Sequence, residues 1–577
     1  MTGFEQSSFY LNKMKKFLSV CFILLAVALQ AQQLESIGIK KGVKVNGGIS
    51  FANNFYTVSG ISNRLNPYSY VLSGNLNFNV FGVSVPLSFS YSNQNFSYRQ
   101  PFNIIGASPS YKKFKAHIGY RNLTFSPYTL SGHNFLGGGL EYNGDKFAVV
   151  VMTGRLLKAV QYDSNNVNAL PAYKRMGAGI KLTYKNKGDQ ISISNFYAKD
   201  MISSIDSVPA RVGLHAQENV VWGISVKKAL GKKFAVTAEL ARSEWTKDIT
   251  AQEVPNQSTS PFAALFYIKR NQSTVTYNAM KFNGTYTFKL FSLGTGYEHI
   301  DPEYRTLGAY YFNNDLENIT LNAATALLKN KINVSGNIGV QRDDLNKTKS
   351  SSMKRTVGSV SLGMTPTKRL NINLSYSNFY SYVNIKPIDL QYLPNARYDT
   401  LNYTQISQTI SGSVGYKLLE SDKVTKMIQL SSSQMSASSK QASTNRKNTM
   451  LNATIAYNQA WKASGISLGL SMNGNQSRFE DNTNLYVGLG ITGGAPILKK
   501  KLRGNLGVNM NQNYDNNTLV AYLFSLNNSY SYKLGKHQSF NASLRYTGRT
   551  KISESTIGRY NTNFNEFMGS LAYSYSF

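Results

Sequence analysis

The sequence predicts an all-β chain forming one large transmembrane antiparallel β-barrel of about 26 strands (24–26), with no plug domain. Three observations carry the prediction. Apolar and polar residues alternate with period two almost throughout, and no 3.6-residue apolar stripe is sustained. Short, lysine-rich turns recur along the chain, separated by longer polar stretches. The last nine residues, GSLAYSYSF, alternate apolar with small or polar and stop on phenylalanine.

At the N-terminal end, Met14-Lys15-Lys16 precedes an apolar run from Phe17 to Leu29 and then Gln30-Ala31-Gln32. That order of charge, apolar stretch and small residue is a secretory signal peptide, residues 1–31, with Met14 as an alternative start. The run is too short to cross a bilayer as a helix. Cys21 lies inside it and is the only cysteine, so the mature chain has no thiol and no disulfide. Residues 32–42 form a short N-terminal segment, too small for a plug domain, and residues 43–577 form the barrel.

The strands follow one pattern. Leu370, Ile372, Leu374 and Tyr376 share a face opposite Asn371, Asn373 and Ser375. In the same way Phe540, Ala542, Leu544 and Tyr546 oppose Asn541, Ser543 and Arg545. One face apolar and the other polar but mostly uncharged suits lipid outside and water inside. A β-helix would show a short fixed repeat, and none is present. Short turns fall at residues 80–82, 108–113, 143–146, 185–189 and 229–232, and continue to residues 534–537. Longer polar stretches such as residues 163–174, 200–218, 244–274 and 385–402 lie between them, so short and long connections are expected to alternate. The descending strand at residues 101–107 is demanded by parity, although its own pattern is poor.

Leu571, Tyr573, Tyr575 and Phe577 are expected to face lipid, with Ala572, Ser574 and Ser576 facing the lumen. This ending resembles the C-terminal signal by which the barrel assembly machinery recognises Gram-negative outer-membrane barrels. The tyrosine- and asparagine-rich strands with lysine-rich turns are similar to outer-membrane barrels of the Bacteroidota. The resemblance implies an outer-membrane location, contact with outer-membrane lipid and, with an even strand number, both termini in the periplasm.

Cleavage after Ala31 leaves 59 basic and 28 acidic residues, a net charge of +31. The excess gathers at the short turns, including Lys227, Lys228, Lys232, Lys233, Lys499, Lys500, Lys501 and Arg503. Such a rim suits anionic head groups or an acidic periplasmic partner, and its position argues against nucleic acid.

The least generic stretch is FKAHIGYRNLTFSPYTLSGHNFLGGGLEY, residues 114–142. Alternation puts Lys115, His117 and Arg121 inside with Glu141, and the glycines 137–139 allow the Ser126-Pro127-Tyr128 loop to fold inward. These groups could bind an anionic solute or form a satisfied ion-pair network. Lys181, Glu239, Lys281 and Arg545 also face the lumen in this reading, with the cations giving a mild preference for anions.

The five histidines show no metal-binding spacing, and no hydrolase elbow, phosphate loop or dinucleotide fingerprint is present, so neither an enzyme nor a cofactor is expected. Two functions remain, a channel or transporter and a non-conducting scaffold of an envelope secretion or assembly complex.

Overall fold

The computed structural model describes residues 43–577 apart from 94–102, 165–169, 207, 210–211, 255–267, 311–312, 349–353, 385–401, 442–443, 499–500 and 556–561. The expected signal peptide and N-terminal segment lie outside the described residues, as do Lys499 and Lys500.

Antiparallel neighbours pair in chain order around a closed barrel of 26 strands. The first strand, Val43–Ser59, pairs with Tyr68–Val80 on one side and with the last, Phe564–Ser576, on the other, Phe51 opposite Tyr573. The Phe577 amide extends that seam by donating to the Gly47 carbonyl at 2.9 Å. Closure of this kind removes both sheet edges, so each strand's backbone groups find partners without water. Most strands have 10 to 19 residues, enough to cross a bilayer at a tilt.

The descending strand with the poor pattern exists, in two pieces. Ile104–Ala107 and Ser110–Tyr111 both pair between Val83–Ser92 and Phe114–Asn122. Pro109 has no amide to give to the ladder, which explains the interruption. The ladder is patched by Ser108 donating its amide to the Pro86 carbonyl at 2.9 Å.

Alternation sorts the faces as expected. Ile118, Ile193, Leu240, Ile338, Leu489 and Leu571 stand exposed on the outer face. On the opposite face, Ser335, Ser361, Asn373, Ser411, Ser431 and Asn452 line a common space although they come from six strands. Only the concave side of a barrel can bring them together.

The short turns lie at one end of the wall. Phe81-Gly82 and Lys187-Gly188 have positive φ at both central residues, the geometry that matches strand twist in two-residue hairpins. The other end departs from the expected alternation after residue 402. There Glu480-Asp481 and Asn516-Asn517 are two-residue turns, and Asn402–Glu420, Val424–Gln441 and Thr444–Trp461 reach 19, 18 and 18 residues. From residue 402 to residue 551 extended strands replace long loops, and a long connection returns at residues 552–563.

Candidate functional site

Two loops from the long-loop end fold into the barrel and meet. Residues 123–133 connect Phe114–Asn122 to Asn134–Asn143, and residues 301–315 connect Phe291–Ile300 to Leu316–Leu327. Within them Leu130-Ser131 pairs in parallel with Gly308-Ala309. The described residues contain no separate plug domain; these loops cover one arc of the inner wall.

Their docking begins with apolar burial. Leu123, Phe125, Leu130 and Leu307 pack against Phe135, Met152, Leu156 and Phe196 of the wall, and Leu130, Phe135 and Phe196 are fully buried. Tyr128 and Tyr304 cover Val221, Ala241, Ala279 and Ile300. Glycine provides the room. A Cβ on Gly179 would stand 2.6 Å from the Phe125 ring, and one on Gly308 would stand 2.6 Å from the Thr129 carbonyl oxygen. Real side chains do not make such approaches, so the loops seat where glycine leaves bare backbone, in the wall at Gly179 and in the second loop at Gly308.

Several polar groups inside the contact are paired. Tyr304 donates to the Tyr128 carbonyl at 2.8 Å, and the Thr306 hydroxyl to the Thr129 carbonyl at 2.5 Å. Asn219, fully buried, donates to Ser243 Oγ at 2.7 Å and to the Glu244 carbonyl at 2.8 Å, and accepts from the Leu307 amide at 3.0 Å. His133 donates from Nδ1 to the Asn134 carbonyl, 2.8 Å away, and stacks on Tyr310 with ring centroids 4.0 Å apart. Since a carbonyl only accepts, the proton sits on Nδ1. Burial lowers the His133 pKa to about 4 by disfavouring the charged ring. It also pushes the Tyr128 hydroxyl up, with the Glu298 carboxylate adding to the shift.

The sequence-predicted lumen residues fall into three places. In the first, His117 Nε2 lies 2.5 Å from Glu141, Lys115 lies 3.4 Å from the same carboxylate, and Ser108 Oγ lies 3.0 Å from His117 Nδ1. Arg121 donates to Ser88 Oγ at 2.7 Å and to the Gly106 carbonyl. These contacts tie the interrupted strand to its neighbours, although Arg121 Nε is buried without a hydrogen-bond partner. In the second, Lys181 donates to the Phe125 carbonyl at 2.5 Å, Tyr128 donates to Glu298 at 2.5 Å, and Lys281 lies 3.4 Å from Glu298. Glu239 sits beside Ser126, Lys181 and Lys281, one carboxylate oxygen buried without a hydrogen-bond partner. In the third, Arg545 stands apart on the uncovered wall and donates to Asn527 Oδ1 at 2.8 Å.

At the short-turn end, Lys227, Lys228, Lys232 and Lys233 flank the turn between Glu218–Leu230 and Phe234–Thr246. Lys501 and Arg503 flank the start of Leu502–Asp515, and Arg503 reaches the Gly465 carbonyl at 3.4 Å. In the last strand Leu571 is exposed, Tyr573 packs beside Phe540, and Tyr575 meets Phe577 edge-on at 4.8 Å.

Sequence reasoning anticipated the inward loop at Ser126-Pro127-Tyr128 and missed its partner at residues 301–315, together with Glu298 and Asn219. A signal existed in the inward-facing glycines 137, 139, 154, 177, 179 and 223, which mark where a second layer can approach. Among the described residues no cluster of metal-ligating side chains is present.

No family model matches the chain, and no curated protein matches it in sequence. Solved barrel structures align over most of its length. The P pilus usher (PapC) translocation pore has 11% identity and a TM-score of 0.38, covering 92% of this chain and 99% of that one. The FrpB iron transporter from Neisseria meningitidis (F3-3 variant) has 10% identity and a TM-score of 0.37, covering 93% and 82%. A mutant ferric enterobactin receptor (PfeA) from Pseudomonas aeruginosa has 10% identity and a TM-score of 0.39, covering 93% and 81%. At TM-scores this low the barrel assignment stands on the strand registers themselves.

Proposed function

We propose that the chain is an integral outer-membrane barrel of a Gram-negative, Bacteroidota-type envelope, with its short turns and both termini in the periplasm, acting as a channel or transporter. The observation that carries this reading is the space beside the covered arc. It holds about 970 Å³ and is lined mainly by serine, threonine, asparagine and glycine. Such a face suits a water-filled path for solutes.

A mild preference for anions belongs to the proposal, with its source moved. Lys115 and Lys281 face carboxylates and Lys181 holds a loop carbonyl, which leaves Arg545 and the basic turns as the groups able to attract an anion.

The scaffold reading is favoured by one feature, the short turns themselves. Lys112, Lys232, Lys233, Lys329, Lys368 and Lys501 have few acidic neighbours there, and such a rim would steer an acidic partner. Purification in mild detergent at low salt, followed by planar-bilayer recording, separates the two. Conductance from the protein alone supports the channel and ends the scaffold reading. Stoichiometric companions without conductance would do the reverse.

A further inference from the structure

The inner wall is divided by charge. Beneath the two loops, Lys115, Glu141, Lys181, Lys281 and Glu298 are each held against another side chain or a loop carbonyl. The other arc runs from Leu316–Leu327 through the seam to Tyr68–Val80. Its register turns hydroxyls, carboxamides and glycines inward, as in the facing positions Ser361, Ser375, Ser411 and Ser433. Charged inward groups on this arc sit near strand ends, as Arg503 does at one end and Asp515 at the other. At mid-height among the described residues, Arg545 alone interrupts the uncharged wall.

We infer that solutes cross along this uncharged arc, and that they are neutral, polyhydroxylated molecules with the chemistry of a sugar. The inference rests on the channel reading above. Serines bond across strands, Ser335 to Ser361 at 2.7 Å and Ser375 to Ser411 at 2.6 Å, and Asn337 donates to Ser359 at 2.9 Å. Each hydroxyl has one donor and two acceptor positions, so the remaining capacity of these fixed groups points into the lumen. A sugar crossing there exchanges water for wall hydroxyls at nearly equal strength and is neither repelled nor trapped. An ion of either sign finds no fixed counter-charge on such a wall. The open space of about 970 Å³ lies along this face. Anion preference then comes mainly from the basic mouth, where salt screens it, with Arg545 the one cation at mid-height among the described residues.

The test uses the full-length protein in planar bilayers and in liposomes. The wild type is expected to admit maltose in a swelling assay, and its bias for chloride over potassium at low salt is expected to vanish at high salt. In the double variant Ser361→Asp, Asn452→Asp the permeability ratio should move towards potassium about two- to five-fold, the range that a fixed charge met in water supplies. Heat-modifiable gel mobility verifies that the variant is folded. A wild type that conducts ions and excludes maltose, or a folded variant with unchanged selectivity, overturns this inference and leaves the channel standing. A wild type with no conductance overturns the channel reading, and this inference falls with it.

Discussion

Leu130→Ala tests whether the loops are docked as a layer of their own or are part of what holds the barrel. Leu130 is fully buried among Phe125, Phe135, Phe196 and Leu307, and its carbonyl accepts the Phe125 amide at 2.9 Å. Truncating such a side chain costs about 2–5 kcal/mol, the transfer of the lost methyl groups plus the cavity they leave. The wall strands keep their ladders whether or not the loop is seated, so the cost falls on docking and leaves the barrel closed. Every 1.4 kcal/mol is tenfold, and the undocked population should rise at least about 30-fold. Hydrogen exchange measured on residues 123–133 and 301–310 should accelerate by that factor, both loops together because each completes the other's contact. The uncovered strand Leu502–Asp515 should keep its protection, and bilayer conductance should rise as the loop leaves the lumen. Unchanged protection in the loops, or loss of the heat-modifiable band, would refute the reasoning.

Removing Phe577 takes away one backbone hydrogen bond at 2.9 Å and one edge-on ring contact, together worth about 2 kcal/mol. A fall in membrane-inserted protein larger than that loss is expected, because the assembly machinery reads this end; equal levels would sink the assembly-signal argument. An epitope tag placed within residues 244–274 should be reached by antibody on intact cells, and one at Asn143-Gly144 only after permeabilisation; the reverse pattern would invert the topology. Acid should loosen the 123–133 loop through His133. Its folded pKa, about 4, lies below the ordinary histidine value, so the undocked state binds the proton first and docking weakens as pH falls from about 6.5 towards 4, by about 3 kcal/mol in full. Loop protection measured across that window should decline in the wild type and decline less in His133→Gln; identical profiles would remove His133 from the account.

The barrel was legible because each of its parts is local. Period-two alternation, two-residue turns such as Lys187-Gly188, and the aromatic end at Tyr573, Tyr575 and Phe577 are decided within about ten residues of chain. Even the interrupted strand is visible in this sense, since Pro109 denies the ladder a donor where the pattern fails. The loss of alternation between residues 402 and 551 was not visible. Asn516-Asn517 forms a tight turn that a polar Asn-rich stretch can equally replace with a longer loop, and the choice is set by how far the neighbouring strands extend. The docking of residues 301–315 was hidden for a related reason. Asp-Pro-Glu-Tyr-Arg-Thr-Leu-Gly-Ala reads as an ordinary polar loop, and its anchors Tyr304, Thr306 and Leu307 gain their partners only when barrel closure brings residues 128–130 and Asn219 across the lumen.

That hidden contact changes what the lumen charges are for. Read along the chain, Lys181, Glu239 and Lys281 are inward-facing ions and suggest selectivity. Read in space, they lie under Phe125, Ser126 and Tyr128, where the loop carbonyl and phenol need partners that water can no longer supply. Leaving a buried polar group unmet is costly, and a cation on a carbonyl and a carboxylate on a phenol meet the two groups the loop brings, while one Glu239 oxygen stays unmet. These ions contact a docked loop, and on the channel reading proposed above the side of the barrel left for passage is the side from which charge is largely missing. Neutralising Lys281 should accordingly disturb the seating of Tyr128 through Glu298 and move ion selectivity little; a change of selectivity with the loop still protected would return these residues to the pore.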